Sequence, residues 1–337
     1  MPAEPPLPDP DRALAPLAAH DGLLLAVSGG PDSVALALLA SRWPLRAQKR
    51  IDVATVDHGL RAEAAQEAAQ VGEWARALGF VHHILRWEGE KPATRLQERA
   101  REARYRLLCA RAREIGATAI VTAHHADDQA ETVLFRLTRG SGVAGLAAMA
   151  VESRVDGLAL LRPLLGFRKS ELERLCDGAA HPYFRDPSNE NPAYARVRLR
   201  LLAATLAAEG LDVEALLRLS ARAARAEEAL AWSAERVVQE LPAERGEKRF
   251  RIVATALHAL PRELLLRLLA AEIARIGGGG PRLDRLERAG ERLAEALATE
   301  TRFKTTLGGA TVIFERGAVV LSPEPPRRKG RARDENA

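Results

Sequence analysis

Leu23-Leu24-Leu25-Ala26-Val27-Ser28-Gly29-Gly30-Pro31-Asp32-Ser33-Val34-Ala35-Leu36 decides the fold of this chain. The unbroken apolar run before the glycines reads as a strand buried on both faces, and the Pro, Asp and Ser after them as the first turn of a helix. Gly29 and Gly30 can take backbone angles closed to other residues, so that successive N–H groups converge on one anion. The helix N-terminus after Ser33 adds its dipole and unpaired donors. No Lys follows the glycines, so this is not the GxxxxGK[ST] loop that grips β- and γ-phosphates with an ammonium. A different nucleotide chemistry is expected.

Outward from this loop, short apolar runs alternate with helical stretches, the pattern of a doubly wound, mostly parallel α/β sheet. Residues 51–56 read as a second strand ending in Asp57-His58-Gly59-Leu60, and 62–78 as a helix closed by Gly79. A third strand is expected at 82–87, an Arg-rich helix at 94–115 and a fourth strand at 118–122. Ligands of such sheets sit at the carboxyl ends of strands, so Ser28, Asp57 and Ala123 should line one crevice. Past residue 200 the pattern turns helical, with a segment at 201–241 and helices at 261–276 and 281–297 separated by Gly277 to Gly280. Residues 304–307 and 312–321 read as a closing strand pair with turns at Gly308-Gly309 and Gly317. The expected organisation is a flexible segment at 1–20, a catalytic domain at 21–205, a smaller, mainly helical α+β domain at 206–321 and a disordered basic tail at 322–337.

The 337 residues suffice for two domains, and 47% hydrophobic with 28% charged residues describes a soluble globular chain. Only six of the 50 basic residues are Lys (49, 91, 169, 248, 304 and 329), leaving 44 Arg. A net charge of +5 and a pI near 9.5 favour a polyanionic partner. Residues 1–11 are proline-rich and acidic without an apolar segment, and no apolar run reaches membrane-spanning length. Cys109 and Cys176 stand far apart and in no CxxC pattern. A cytoplasmic protein with no membrane partner, disulfide framework or zinc site is expected.

A second cluster, Ala123-His124-His125-Ala126-Asp127-Asp128-Gln129-Ala130-Glu131-Thr132, follows the fourth strand and opens a helix. Asp127 and Glu131, four apart, share a helix face, and Asp128 and Glu131, three apart, are also adjacent. Two imidazoles and three carboxylates beside a nucleotide loop can bind Mg²⁺ through oxygen, hold an amine substrate or accept its proton. Adjacent His124 and His125 are poorly placed to aim at one zinc ion.

Ser28 to Ser33 resembles the SGGxDS loop of the N-type ATP pyrophosphatases, which cleave ATP between the α- and β-phosphates and adenylate a substrate. With Asp57-His58-Gly59-Leu60, Arg101, Arg104-Tyr105, His124 to Thr132, Arg139-Gly140-Ser141-Gly142, Arg162-Pro163-Leu164-Leu165, Asp186-Pro187-Ser188-Asn189 and Arg196 to Arg200 following in order, the chain resembles the bacterial tRNA(Ile)-lysidine synthetases. The likeness is strong over 20–200, and Thr306-Leu307-Gly308-Gly309 with its strands resembles the end of that family's second domain. Gln97 stands where members often carry Glu, Val197 stands where Asn commonly follows Arg196, and the chain ends where longer members continue into a third domain.

The resemblance implies a PP-loop, adenine nucleotide α-hydrolase-like fold and an ATP-dependent ligase. The reaction would join L-lysine to C2 of the wobble cytidine (position 34) of tRNA(Ile) with anticodon CAU, through an adenylated cytidine, releasing AMP and pyrophosphate. ATP and Mg²⁺ are the implied cofactors, and a homodimer is one admissible assembly. ATP contact falls to Ser28, Gly29, Gly30, Pro31, Asp32, Ser33, His58 and His124, and the metal to Asp32. Lysine binding falls to Asp128 and Glu131, and catalysis to Asp32, Arg104, His124 and Asp128. Phosphate or tRNA contact falls to Arg101, Arg196 and Arg200, with the Arg-studded second domain holding the stems. Two other readings stand beside this one. A related tRNA thiolase would need cysteine pairs that Cys109 and Cys176 do not supply, and intact Asp32, His124, Asp128 and Glu131 argue against a catalytically silent tRNA-binding module.

Overall fold

The computed structural model of the protein describes residues 7–60, 62–89, 91–92, 94–185 and 195–325, without the side chains of 195 and 196. They form two compact units, Met1–Ala224 and Arg225–Ala337.

In the first unit, β1 (Gly22–Ala26), β2 (Arg50–Asp57), β3 (Val81–Arg86), β4 (Ala119–Val121), β5 (Glu152–Val155) and β6 (Leu158–Leu161) form one sheet in the order β3-β2-β1-β4-β6-β5. Every pairing is parallel except β5 with β6. The pleat sends Leu23 and Leu25 into one core and Leu24 into another, as a strand covered on both faces requires. α1 (Pro10–Leu14), α2 (Pro31–Ser41), α3 (Ala64–Ala77) and, late in the chain, the helix Lys169–Gly178 contribute to the first core. α4 (Leu96–Glu114) supplies Leu108, Cys109 and Ala112 to the second. The order reverses between β1 and β4, so the loops leaving these two neighbouring strands open into the crevice where doubly wound sheets bind ligands.

α5 (Ala126–Leu137), α6 (Val143–Leu146), α7 (Lys169–Gly178), α8 (Ala195–Leu201), α9 (Ala203–Ala208) and α10 (Val213–Glu240) complete this unit, the border between units falling inside α10. Val133 and Leu134 of α5 pack with Leu199, Leu206 and Leu216. Residues 206–224 therefore belong with the sheet rather than beyond the expected border at 205.

The flexible segment expected at 1–20 is corrected for residues 7–20; 1–6 lie outside the described residues. Asp9 caps α1 by accepting from Arg12 N at 2.9 Å, and Leu14 and Leu17 are fully buried in the first core. The polar, proline-rich start concealed three apolar residues, Ala13, Leu14 and Leu17, at helical spacing.

In the second unit β7 (Ala243–Gly246), β8 (Arg249–Val253), β9 (Phe303–Leu307), β10 (Ala310–Glu315) and β11 (Ala318–Pro323) form an antiparallel sheet in the order β7-β8-β11-β10-β9. α12 (Arg262–Gly277) and α13 (Leu283–Thr299), with a short α11 (Thr255–His258) before them, pack on it around Phe250, Ile252, Leu269, Leu293 and Phe314. The sequence reading expected the helices and the closing strands but not β7 and β8. Their signal is only Phe250 and Ile252 alternating with arginines, too short a period-two run to stand out against helical neighbours. The two glycine turns read separately meet: a Cβ on Gly277 would lie 2.1 Å from Gly308 O. The basic tail expected from 322 begins later, since Ser322 and Pro323 are strand and Glu324 N donates to Gly309 O; its residues from 326 lie outside the described ones.

Candidate active site

Of the two glycines in the loop after β1, only Gly29 needs the left-handed region, with φ of +90°. A Cβ there would meet Phe184 Cδ2 at 2.7 Å and Val71 Cγ2 at 2.9 Å. Gly30 caps α2 in extended conformation, φ −73° and ψ 161°, so its expected special backbone angle is not used. Ser33 Oγ accepts from Ser28 N at 3.1 Å and Gly29 N at 3.2 Å and donates to Gly30 O at 2.9 Å. One oxygen gathering two backbone N–H groups marks the position an anion's oxygen can take. Pro31 is the first helical residue, and Asp32 and Ser33 follow in a turn whose N–H groups have no intrahelical acceptor.

Asp32 joins this loop to the second cluster. Its Oδ2 lies 3.5 Å from His125 Nε2, the same distance that separates that nitrogen from Asp128 Oδ2, while Asp127 Oδ2 is 3.6 Å from His125 Nδ1. Burial opposes charge on this ring, but hydrogen bonds to Asp127 and Asp32 and the nearby Asp128 outweigh it and raise the His125 pKa to about 10. Asp128 N also approaches Nδ1 at 3.4 Å, which would call for a lone pair there. Three carboxylates outweigh one long backbone contact, and His125 is an imidazolium. Burial pushes the Asp128 carboxyl upward. Asp32 Oδ1 is buried with no hydrogen-bond partner among the described residues.

His124 stands in the opposite environment. Its Nδ1 is 2.8 Å from Thr122 Oγ1, and burial together with Arg162, Arg101 and Arg104 lowers its pKa to about 3. The ring is neutral. Arg101 and Arg104 are exposed on α4, and among the described residues neither has a carboxylate within 4.0 Å. Arg101 lies over the Tyr105 ring at 5.1 Å.

The remaining expected residues divide. His58, at the end of β2, has a buried Nδ1 without a partner among the described residues; burial first, then Arg104, lowers its pKa to about 4. Glu131 does lie on the Asp128 side of α5, but Arg200 of α8 grips it, Nε donating to Oε1 at 2.6 Å and Nη2 to Oε2 at 2.9 Å. Arg200, expected at phosphate or tRNA, thus meets the carboxylate expected at lysine. Asp186 to Asn189 and the Arg196 side chain lie outside the described residues.

Four functional or supporting residues were given no role of their own in the sequence reading. His125 was seen only as half of a doublet; its position as the N-cap of α5 was the available signal. Arg168 holds Asp127 through Nη2 at 3.0 Å, with Lys169 N donating to Asp127 Oδ2 at 2.8 Å, so Asp127 fastens α5 to α7. Gln129 likewise clamps Met149, donating to its O at 2.7 Å and accepting from its N at 2.9 Å. The fourth is Arg162, read only as the start of the Arg162-Pro163-Leu164-Leu165 motif and only 7% exposed.

Both thiols are buried on opposite faces of the sheet, Cys176 in the first core and Cys109 in the second. Burial pushes Cys176 up to about 12 and raises Cys109 as well, so they form neither a pair nor a reactive thiolate. No helix among the described residues is long and apolar enough to cross a membrane.

A protein-family model described as a PP-loop domain matches residues 10–205. The chain is 50% identical to a tRNA(Ile)-lysidine synthase of Methylobacterium sp. strain 4-46, over 91% of this chain and 90% of that one. It is 48% identical to one of Bradyrhizobium sp. strain BTAi1, over 95% and 94%. One of Rhodopseudomonas palustris is 46% identical over 96% of both. Among solved structures, the U34-tRNA thiolase NcsA from Methanococcus maripaludis with its [4Fe-4S] cluster matches with a TM-score of 0.53 at 16% identity, covering 63% of this chain and 77% of that one. That likeness speaks for the fold alone.

Proposed function

The chain belongs to the tRNA(Ile)-lysidine synthase family of PP-loop proteins, and from that premise we propose that it joins L-lysine to C2 of the wobble cytidine of a CAU-anticodon tRNA(Ile) at the expense of ATP. The observation that carries the reading is the junction of Asp32, His125 and Asp128 beside the Ser28–Ser33 loop, with an arginine-lined neutral His124 one residue away.

A cytosine C2 carbonyl is a poor electrophile because its oxygen is a very basic leaving group. Its oxygen would attack the α-phosphate in line as pyrophosphate departs, forming the adenylated base. The lysine ε-amine would then attack C2, lose a proton and expel AMP. In this scheme the N–H groups of the loop and of the first turn of α2 take the departing pyrophosphate. His124, neutral and oriented by Thr122, offers the nucleotide a hydrogen-bonding edge without a proton to release. Asp128, raised by burial, is suited to accept the proton of the amine it attracts.

Mg²⁺ fits this site as a companion of ATP. Among the described residues no group of three or more His, Cys, Asp or Glu could hold a metal alone, while Asp32 offers one orphaned carboxylate oxygen. Mg²⁺ is commonly held by one or two carboxylates plus substrate phosphates. It would neutralise charge developing on the phosphates.

Incubation with transcribed CAU-anticodon tRNA, Mg-ATP and labelled lysine tests the proposal. Label in the tRNA with matching AMP and pyrophosphate is expected. Lysine-independent AMP formation with no label in the RNA would refute it.

A further inference from the structure

Arg162 follows the carboxyl end of β6, beside β4. Thr122 N donates to Leu161 O at 2.9 Å, so Arg162 stands next to the Thr122 that holds His124. Its Nη1 donates to Ala150 O at 2.9 Å and Ser153 Oγ at 3.0 Å, both neutral, while Nε is buried without a partner. No carboxylate lies within 4.0 Å of it among the described residues; after burial, the groups acting on it are the Tyr105 side chain and then another cation, Arg101. Arginine is seldom fully buried unless paired, because desolvating a charge is costly without compensation. Two neutral acceptors fix the fork but do not cancel the charge. Across from it, Arg101 and Arg104 stand one turn apart on α4 and, with Arg162, set the potential at His124.

Resting on the functional reading above, we propose that Arg162 is a buried cation retained without a counter-charge to build, beneath Arg101 and Arg104, a subsite for a phosphodiester of the RNA strand that carries the target nucleotide. Phosphates of ATP are less suited to it. Their cradle follows β1, and Arg162 follows β6 with β4 between, about 10 Å away across two strand spacings. The exposed arginines supply donors that RNA can reach. The buried one supplies field, which solvent and salt screen far less.

The test compares wild type, Arg162→Gln, Arg162→Lys and Ser153→Ala for binding of a CAU-anticodon stem-loop RNA, binding of ATP, and melting temperature. For Arg162→Gln, RNA affinity is expected to fall about tenfold to a hundredfold, with ATP affinity held within about twofold. Arg162→Lys should retain most RNA affinity, since it keeps the charge. Ser153→Ala, which removes one acceptor of the guanidinium and no charge, should leave RNA binding within about twofold. Unchanged RNA binding in Arg162→Gln overturns the proposal, as does loss confined to ATP. So does an equal loss in Ser153→Ala, which would make Arg162 a staple of the 150–153 turn. If the glutamine variant does not fold, the lysine variant decides: a loss of less than about tenfold confined to RNA supports the subsite, and equal losses for RNA and ATP refute it. A wild-type protein that bound no RNA would instead defeat the functional reading and this subsite together.

Discussion

His124 and His125 are neighbours in sequence and opposites in chemistry. His125 is in extended conformation, φ −124° and ψ −178°, and successive side chains of extended backbone point to opposite sides. One ring therefore enters a nest of three carboxylates and holds a proton up to about pH 10, while the other faces three arginines and stays neutral down to about pH 3. The pair partitions the crevice. The acid side, next to the phosphate loop, suits a metal ion and an amine; the arginine side suits phosphates. Joining an amine to a nucleotide needs both polarities within a few ångströms, and two adjacent residues of unequal environment supply them on opposite sides of one backbone segment.

The strongest way to break this partition is at Asp32. Asp32→Asn is expected to lower pyrophosphate release roughly a thousandfold, because in the proposed reaction its orphaned carboxylate oxygen beside the phosphate loop would serve Mg²⁺ rather than the core. Unchanged turnover at saturating Mg²⁺ would leave the acid side without its main role.

Removing the imidazolium strands the acids it holds together. His125→Asn is expected to destabilise the protein by about 3–5 kcal/mol at pH 7 in urea unfolding, the usual cost of stranding a buried charge. The two histidines also carry opposite pH signatures. The folded pKa of His125 lies above the unfolded value of 6.5, so its contribution is fully present below pH 6.5 and lost as pH rises toward 10. The folded pKa of His124 lies below 6.5, so the unfolded chain binds the extra proton and stability falls as pH drops from 6.5 toward 3. His125→Asn should flatten the alkaline limb of the stability curve and His124→Asn the acid limb. Exchange of these two effects would reverse the assignment of sides.

Smaller effects sharpen the division. Asp128→Asn should raise the lysine KM about tenfold to a hundredfold while moving the ATP KM far less, and Glu131→Gln, whose carboxylate Arg200 already engages, should raise it less than Asp128→Asn does. On the other side, Arg104→Gln should weaken RNA binding and lower its log–log salt slope by about 0.7–0.9. A rise in lysine KM from the arginine variant would blur the two regions.

The phosphate loop, the first four strands of the sheet and the acidic start of α5 were legible because each depends on local pattern: an apolar run, a glycine, a helix-start residue. What was not legible depends on distant chain. Nothing near His125 says that Asp32 reaches it, since that contact exists only because β1 and β4 pair. Arg162 looks like any arginine after a strand until the β5–β6 hairpin closes around it, and Glu131 reads as a free acid until α8 delivers Arg200. Gly30 shows the converse: a glycine expected for its backbone freedom caps the helix in a conformation other residues also adopt.

The smallest expected effect tests which acids of the cluster serve the reaction. Asp127 differs from Asp32 and Asp128 in being fully engaged: Arg168 grips both its oxygens, and Lys169 N donates to one of them. Hydrogen bonds from His125, Lys169 and Arg168 hold its carboxyl below the ordinary range although burial works the other way. Such a group has no lone pair to spare for metal or amine, and its role is to seat α5 on α7. Asp127→Asn keeps an oxygen for Lys169 N and loses the charge, so a loss of about 1 kcal/mol or less is expected for this half-exposed pair, with lysine and ATP KM within about twofold of wild type. If it instead raised lysine KM as much as Asp128→Asn, the acid side would have to be redrawn with three working carboxylates, and Arg168 would become part of the substrate site.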